Sequence, residues 1–398
     1  MSIQFGIDNL LALDPKWKTK KIAFLTNDAA TTSKGIASRK ALIDAGFNII
    51  QLFSPEHGIS TKGADGHKIK DQVDPITKLS IISLYNEKLA PIKEDLKGID
   101  VLIFDIPDAG TRFYTYLWTM SYFIEAAAKF NLPIYILDRP NPLGGMFNLV
   151  EGPMLDSSLS SFIGRFSIPI KHQSSFGELA KYFNESQNWN ADLKVISCKN
   201  LKREDLFFDW NYKWVNPSPA LQNFEACLLY PGLCLFEATN VSVGRGSDYS
   251  FEWIGASWFN MPAIVMVWQN ILKDDIKIET LRLTMLVDNE IEDIKGIRIK
   301  VIAPNAFNPV LTGLIFLKLI KDIHPQDFKW QPYPTNVNPT GANHLSLLLG
   351  IPDAEKLFDL PLKDWLNKVV SALKVTQWVG HYRGLLGQRE PSDQAALS

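Results

Sequence analysis

An α/β fold with a doubly wound, mostly parallel sheet is predicted by three features of the chain. Short apolar runs alternate with helical patterns through its first half. Those runs are apolar throughout instead of every second residue, as expected of strands covered on both faces. Four of the runs end in clusters of ionisable or amide side chains, and in open parallel sheets ligands sit beyond the carboxyl ends of the strands.

The strands are expected at KIAFLTN (21–27), FNIIQLF (47–53), LSIISLY (79–85), DVLIFDI (100–106), LPIYILD (132–138) and LKVISC (193–198). Helices are expected between them, over Lys34 to Ala45, Pro91 to Leu96, Phe113 to Phe130 and Ser175 to Asn188. Strand–helix–strand repetition of this kind favours parallel neighbours joined by crossovers. Near Asn216-Pro217-Ser218-Pro219 the pattern changes. An aromatic, glycine-rich stretch follows, then the strands LRLTMLV and GIRIKVIA, then helical segments around 310–324, 343–358 and 362–384. The expected organisation is a domain over 1–224, a smaller α/β domain over 225–388 that completes a cleft, and a frayed tail over 389–398.

Composition narrows the function. At 398 residues with 46% hydrophobic and 21% charged residues and a net charge of −2, there is no basic excess to attract nucleic acid. No apolar run approaches the ~18 residues of a membrane span. The opening MSIQFGIDNLLALDPKW carries no basic and apolar leader pattern, which is also how a chain looks once its leader is removed, so the compartment stays open. Cys198, Cys227 and Cys234 have no CxxC spacing and are expected as reduced thiols. The first strand leads into DAATTSKG, not GxGxxG, and no GxxxxGK[ST] occurs, so no nucleotide cofactor is called for. The six histidines show no HxxxH or HExxH spacing; a His57/His67/Asp108 metal site is the best that can be assembled, and no metal is expected. No GxSxG elbow supports a serine nucleophile.

The strand ends hold the candidate site residues. Asn27 follows the first strand. Glu56 and His57 follow the second, in SPEHG, where desolvation by neighbouring loops would raise a carboxyl pKa as a general acid requires. The plainer use of the pair is a turn cap and a core histidine. After the fourth strand, in FDIPDAGTRFYTY, come Asp108, Arg112 and Tyr114. Asp108 also suits an N-cap, whereas Arg112 at a helix start opposes the macrodipole and suggests an anionic partner. LDRPNPLGG presents Asp138, Arg139 and Asn141 between prolines that fix φ. FEATNVSVGRGSD carries Glu237, Asn240 and Arg245, the last flanked by glycines that let it be aimed at a carboxylate. Each of these loops taken alone serves equally well as a plain connection.

Read in order, LTN (25–27), LFSPEHG (52–58), FDIPDAGTRFYTY (104–116), LDRPNPLGG (137–145), VEGPMLD (150–156), NPSP (216–219) and LFEATNVSVGRGSDYSFEWIGASW (235–258) resemble the exo-β-N-acetylmuramidases, from about residue 5 to 260. The resemblance implies a Rossmann-like first domain and a glycoside hydrolase that releases terminal N-acetylmuramic acid from non-reducing ends of peptidoglycan fragments. It implies Glu56 as catalytic acid/base, with a muropeptide or related saccharide as partner and no cofactor. Ala238, Val243 and Ser257 depart from the pattern, standing for a glycine, an acidic residue and a proline.

N-acetylmuramic acid carries a lactyl carboxylate, so its site needs a cation, for which Arg112, Arg139 and Arg245 are the candidates. Glycoside cleavage commonly uses two carboxyls. The second is open among Asp108, Glu151 and Glu237, or is replaced by the substrate's own acetamido group. Trp118 or Trp253 is a candidate platform for a sugar ring. A binding protein for muramyl fragments and a metal-dependent hydrolase built on the same loops are the alternatives.

Overall fold

A computed structural model describes residues 2–271, 275–287 and 290–373. The expected strands form one sheet: β1 (Ile22–Thr26), β2 (Ile49–Ser54), β3 (Gln72–Val73), β4 (Ser80–Ser83), β5 (Val101–Asp105), β6 (Ile134–Leu137) and β7 (Leu193–Ile196). Their order is β3-β4-β2-β1-β5-β6-β7, parallel except for the two-residue edge strand β3, which runs antiparallel to β4 and was not legible in the sequence. Leaving β3 aside, the parallel strands stand in the order third, second, first, fourth, fifth, sixth, that of a Rossmann-like sheet. The order reverses between β1 and β5.

The apolar runs are explained by burial on both faces. Ala23, Leu25, Leu102, Phe104, Ile134 and Ile136 face one core, and Ile22, Phe24, Val101, Ile103, Tyr135 and Leu137 face the other. The second core is closed by the helices Gly6–Leu13 and Ser38–Asp44, the first of which the sequence reading missed. Helices Tyr116–Lys129 and Phe176–Ser186 cover the first core where expected. The stretch 91–96, expected as a helix, forms turns; Pro91 and Gly98 leave it too short to propagate one.

The second sheet is antiparallel, in the order β8 (Trp253–Gly255), β10 (Glu290–Val301), β9 (Ile276–Val287). Ile254, Ile297 and Ile299 join the same core as Leu102 and Phe104, so the two sheets share one apolar interior. Helices Phe224–Leu233 and Pro309–Ile323 cross in backbone contact, since a Cβ added at Gly313 would lie 2.4 Å from the Cα of Gly232. The region expected as one helix over 343–358 is two, His344–Leu349 and Ala354–Leu357, and Leu362–Leu373 follows. The rest of the helix expected to 384, and the expected tail 389–398, lie outside the described residues.

Candidate active site

At the end of β2 the chain enters SPEHG and folds back on itself. His57 takes a left-handed φ of 64°, a conformation that non-glycine residues rarely adopt, and Gly58 follows with 72°. The turn is held by the Gly63 N–H, which donates to the His57 carbonyl at 3.0 Å. It is also held by His57 Nδ1, which must donate to the Gly63 carbonyl at 2.8 Å because a carbonyl only accepts. The loop then brings the Gly66 N–H to within 3.0 Å of Glu56 Oε1. Gly66 has φ 69°, and a Cβ there would meet Thr335 at 2.9 Å, so a bare backbone is required where the loop passes under the C-terminal region.

The second oxygen of Glu56 is held from the other side of the sheet's reversal. Thr115 precedes helix Tyr116–Lys129 at its N-cap and makes no side-chain cap bond there. Its hydroxyl donates instead to Glu56 Oε2 at 2.7 Å, so a group that ordinarily stabilises a helix start serves the carboxyl. Burial raises the pKa of Glu56, with nearby Asp65 adding to the rise against His57 and the Thr115 and Gly66 hydrogen bonds. Desolvation disfavours the charged form and those neutral donors do not reverse it.

The facing wall comes from the C-terminal region. Glu237 lies in the turn Cys234–Ala238 that ends helix Phe224–Leu233. Arg245 Nε donates to Glu237 Oε1, and Arg245 Nη2 stands 3.5 Å from Asp65 Oδ2. The Tyr333 hydroxyl donates to the same Asp65 oxygen at 2.6 Å. Burial opposes ionisation of Asp65, but Arg245, His57 and the Tyr333 hydrogen bond hold its carboxyl below the usual range. Burial raises Glu237 despite Arg245. His344 stacks on Tyr333 with ring centres 4.7 Å apart, and burial pushes its pKa down to about 4, so it is neutral at pH 7. Between these walls lies an open hollow that encloses about 610 Å³ of empty space, solvent at its mouth included.

The chain resembles known proteins along most of its length. Residues 22–225 match the family model described as the N-terminal part of exo-β-N-acetylmuramidase NamZ, and residues 228–371 match its C-terminal part. The chain belongs to the exo-β-N-acetylmuramidase NamZ family. A peptidoglycan β-N-acetylmuramidase NamZ of Bacillus subtilis (strain 168) is 36% identical over 331 residues, covering 82% of this chain and 80% of that protein. Two DUF1343 family proteins of Bacteroides fragilis NCTC 9343 share the fold. One has a TM-score of 0.83 at 24% identity, covering 98% of both chains. The other has a TM-score of 0.67 at 26% identity, covering 96% of this chain and 98% of that one.

Within this NamZ-family chain, five of the candidates, Glu56, His57, Tyr114, Glu237 and Arg245, line the cavity. The remaining candidates lie elsewhere. Arg112 is fully buried and its guanidinium donates to the carbonyls of Pro153, Ile168 and Leu348 at 2.7, 2.9 and 2.7 Å. It joins the two halves of the chain, and it lies in a turn before helix Tyr116–Lys129, not in the helix's first turn as expected, so the macrodipole does not bear on it. With no carboxylate partner among the described residues, burial lowers its pKa to about 9.

Arg139 forks onto Asp105. Asp138 accepts from the Gly177 N–H at 2.7 Å, and burial pushes its pKa up to about 6. Asn141 accepts from the Leu143 N–H, Asn27 from the Ala29 N–H, and Asn240 ties the segment 327–329. These are loop-shaping bonds. Asp108 faces His172 at 3.3 Å, and Glu151 is buried against Lys171 and the Leu311 N–H. His57 and Asp108 therefore line different cavities, which dissolves the His57/His67/Asp108 metal grouping. Trp118 and Trp253 are wholly buried and offer no face to a sugar. The cavity's aromatic wall instead includes Tyr85, Phe113, Tyr114, Tyr230, Phe251 and Tyr333.

The sequence reading missed Asp65, Thr115, Tyr333 and His344. Asp65 had a signal, since it lies in the same glycine-rich loop as Glu56. Tyr333 and His344 had none, because they arrive through long-range packing.

Proposed function

We propose that this protein is a glycoside hydrolase that releases terminal β-linked N-acetylmuramic acid from the non-reducing ends of peptidoglycan fragments. The observation that carries the reading is Glu56: a buried carboxyl, raised by desolvation, lining a cavity beyond the sheet's carboxyl edge. In its protonated form Glu56 donates to the glycosidic oxygen as the bond to C1 breaks. The transition state is oxocarbenium-like, and the carboxylates around it stabilise the developing positive charge. Arg245 is the one arginine or lysine among the described residues lining the cavity, and its side chain is 30% exposed there. In this reading it faces the lactyl carboxylate that distinguishes N-acetylmuramic acid from N-acetylglucosamine. The aromatic wall packs against the ring.

The test is release of the aryl alcohol from an aryl β-N-acetylmuramic acid glycoside, beside the matching N-acetylglucosamine glycoside. The muramic substrate is expected to be hydrolysed and its counterpart to lose most of the rate. Equal rates on both remove the anion anchor, and no release from either removes the hydrolase.

A further inference from the structure

We propose that Asp65 is the second carboxyl of the reaction, the base that takes a proton from the attacking water. The inference rests on the hydrolase reading above and adds a residue that the sequence motifs did not supply.

Three other carboxyls were candidates, and their surroundings remove them. The Asp108 side chain has no exposure and faces His172 in a different hollow. Glu151 is buried against Lys171 outside the cavity. Glu237 lines the cavity but is only 6% exposed, locked to Arg245 through Oε1 and to the Cys234 thiol through Oε2. Asp65 is the open one, with 29% of its side chain exposed, on the same loop as Glu56. Its anchoring is one-sided. Oδ2 takes the Tyr333 hydroxyl at 2.6 Å and faces Arg245 at 3.5 Å. Oδ1 stands 4.0 Å from His57 Nε2, beyond hydrogen-bond reach. Among the described residues, Oδ2 is the oxygen that is fixed, and Oδ1 has no hydrogen-bond partner on a side chain that lines the cavity.

The environments of the pair also diverge. Burial raises Glu56, whereas Asp65 is held ionised by its charged and hydroxyl neighbours despite burial. Two carboxyls pushed apart in this way are suited to opposite proton-transfer roles. In the step, the C1–O bond breaks with its electron pair going to the leaving oxygen, which takes the Glu56 proton. The water oxygen bonds to C1 and its proton passes to Asp65. Glu56 ends as carboxylate and Asp65 as acid, and proton exchange with solvent restores both.

The experiment uses the full chain and an aryl N-acetylmuramic acid glycoside. Activity of the unmodified protein first establishes the hydrolase reading, so the two can fail separately. Asp65→Asn is expected to lower kcat by roughly 10²–10⁴-fold, the range of a lost proton-transfer group. Azide, an anion that needs no base, is expected to restore turnover and yield the glycosyl azide. A folded Asp65→Asn with ordinary turnover, or with low turnover that azide does not restore, overturns the proposal. Tyr333→Phe gives an independent reading if that variant does not fold. Removing a hydrogen bond to the charged form raises the Asp65 pKa, so the acid limb of the kcat profile is expected to move to higher pH. An unmoved limb overturns the proposal, because a merely structural tyrosine would not set it.

Discussion

Two hollows open on the same edge of the large sheet, and each holds an arginine among carboxylates, yet they differ in how completely the charges are matched. In the hollow beyond β1, β5 and β6, of about 440 Å³, Arg139 forks onto Asp105 at 2.5 and 2.8 Å and donates to the Thr31 carbonyl at 2.7 Å. The Arg139 and Asp105 side chains are 3% and 0% exposed. Proline and the aromatic rings of Phe5, Trp210, Tyr212 and Trp214 close the rest of that wall. In the cavity beyond β2, among the described residues, Glu56 is held by neutral donors and one oxygen of Asp65 has no partner within hydrogen-bond reach. Buried polar groups that satisfy one another build architecture; those left incompletely matched at a cavity wall are available to a substrate.

The comparison breaks most sharply at Glu56. Glu56→Gln keeps an acceptor for the Gly66 N–H and a side chain of nearly the same shape, so folding is expected to be little changed. Turnover on a disaccharide substrate is expected to fall by roughly 10²–10⁴-fold, the contribution of a general acid. The pH dependence has a definite sign. An acid works only while protonated, so kcat falls as pH rises through the Glu56 pKa, and burial places that fall above the ordinary carboxyl range. Steady-state kinetics against pH check both points, and ordinary rates in the variant would return Glu56 to a structural role.

In the second hollow the expected effect is on stability. Arg139→Gln leaves Asp105 buried without its cation, which typically costs about 3–5 kcal/mol. Urea unfolding is expected to register that loss while kcat per folded molecule stays near the unmodified value. A folded, stable Arg139→Gln with lost turnover would make the two hollows one site.

The contrast also explains what the sequence could disclose. The centre of the sheet was legible because β1, β5 and β6 are buried along their whole length, so their apolar runs stand out without reference to the rest of the chain, whereas the exposed edge strand β3 gave no such run. Strand ends were legible for the same reason: where Leu25, Phe53 and Phe104 stop, polar residues begin. Which polar residues do chemistry was not legible, because Arg112, Arg139 and Arg245 are each flanked by turn-forming residues. Their fates are decided by Leu348, Asp105 and Glu237, placed far from two of them in sequence. Tyr333 and His344 reach the cavity only because the C-terminal segment docks over Gly66, where the Asn336 N–H donates to the Gly66 carbonyl at 2.7 Å. Asp65 was the readable omission, since a loop that carries one carboxyl to a cavity mouth and then doubles back carries its next carboxyl there too.

The smallest expected effect sharpens the comparison by asking what Arg245 is for. Its Nε is engaged by Glu237 and its Nη2 faces Asp65 at 3.5 Å, so it is both a scaffold for the wall and the cation exposed to the cavity. A hydrogen bond to a charged group is worth about 1.5–3 kcal/mol, equivalent to roughly 10–150-fold in binding. If Arg245 grips the lactyl carboxylate, Arg245→Gln is expected to raise KM by about that factor for the muramic glycoside. For the N-acetylglucosamine glycoside, which has no carboxylate to lose, KM is expected to change little. If Arg245 only scaffolds Glu237 and Asp65, the substitution lowers kcat on both substrates alike and leaves their ratio unchanged. The ratio of the two kcat/KM values therefore separates an anion anchor from a brace, even where both rates fall.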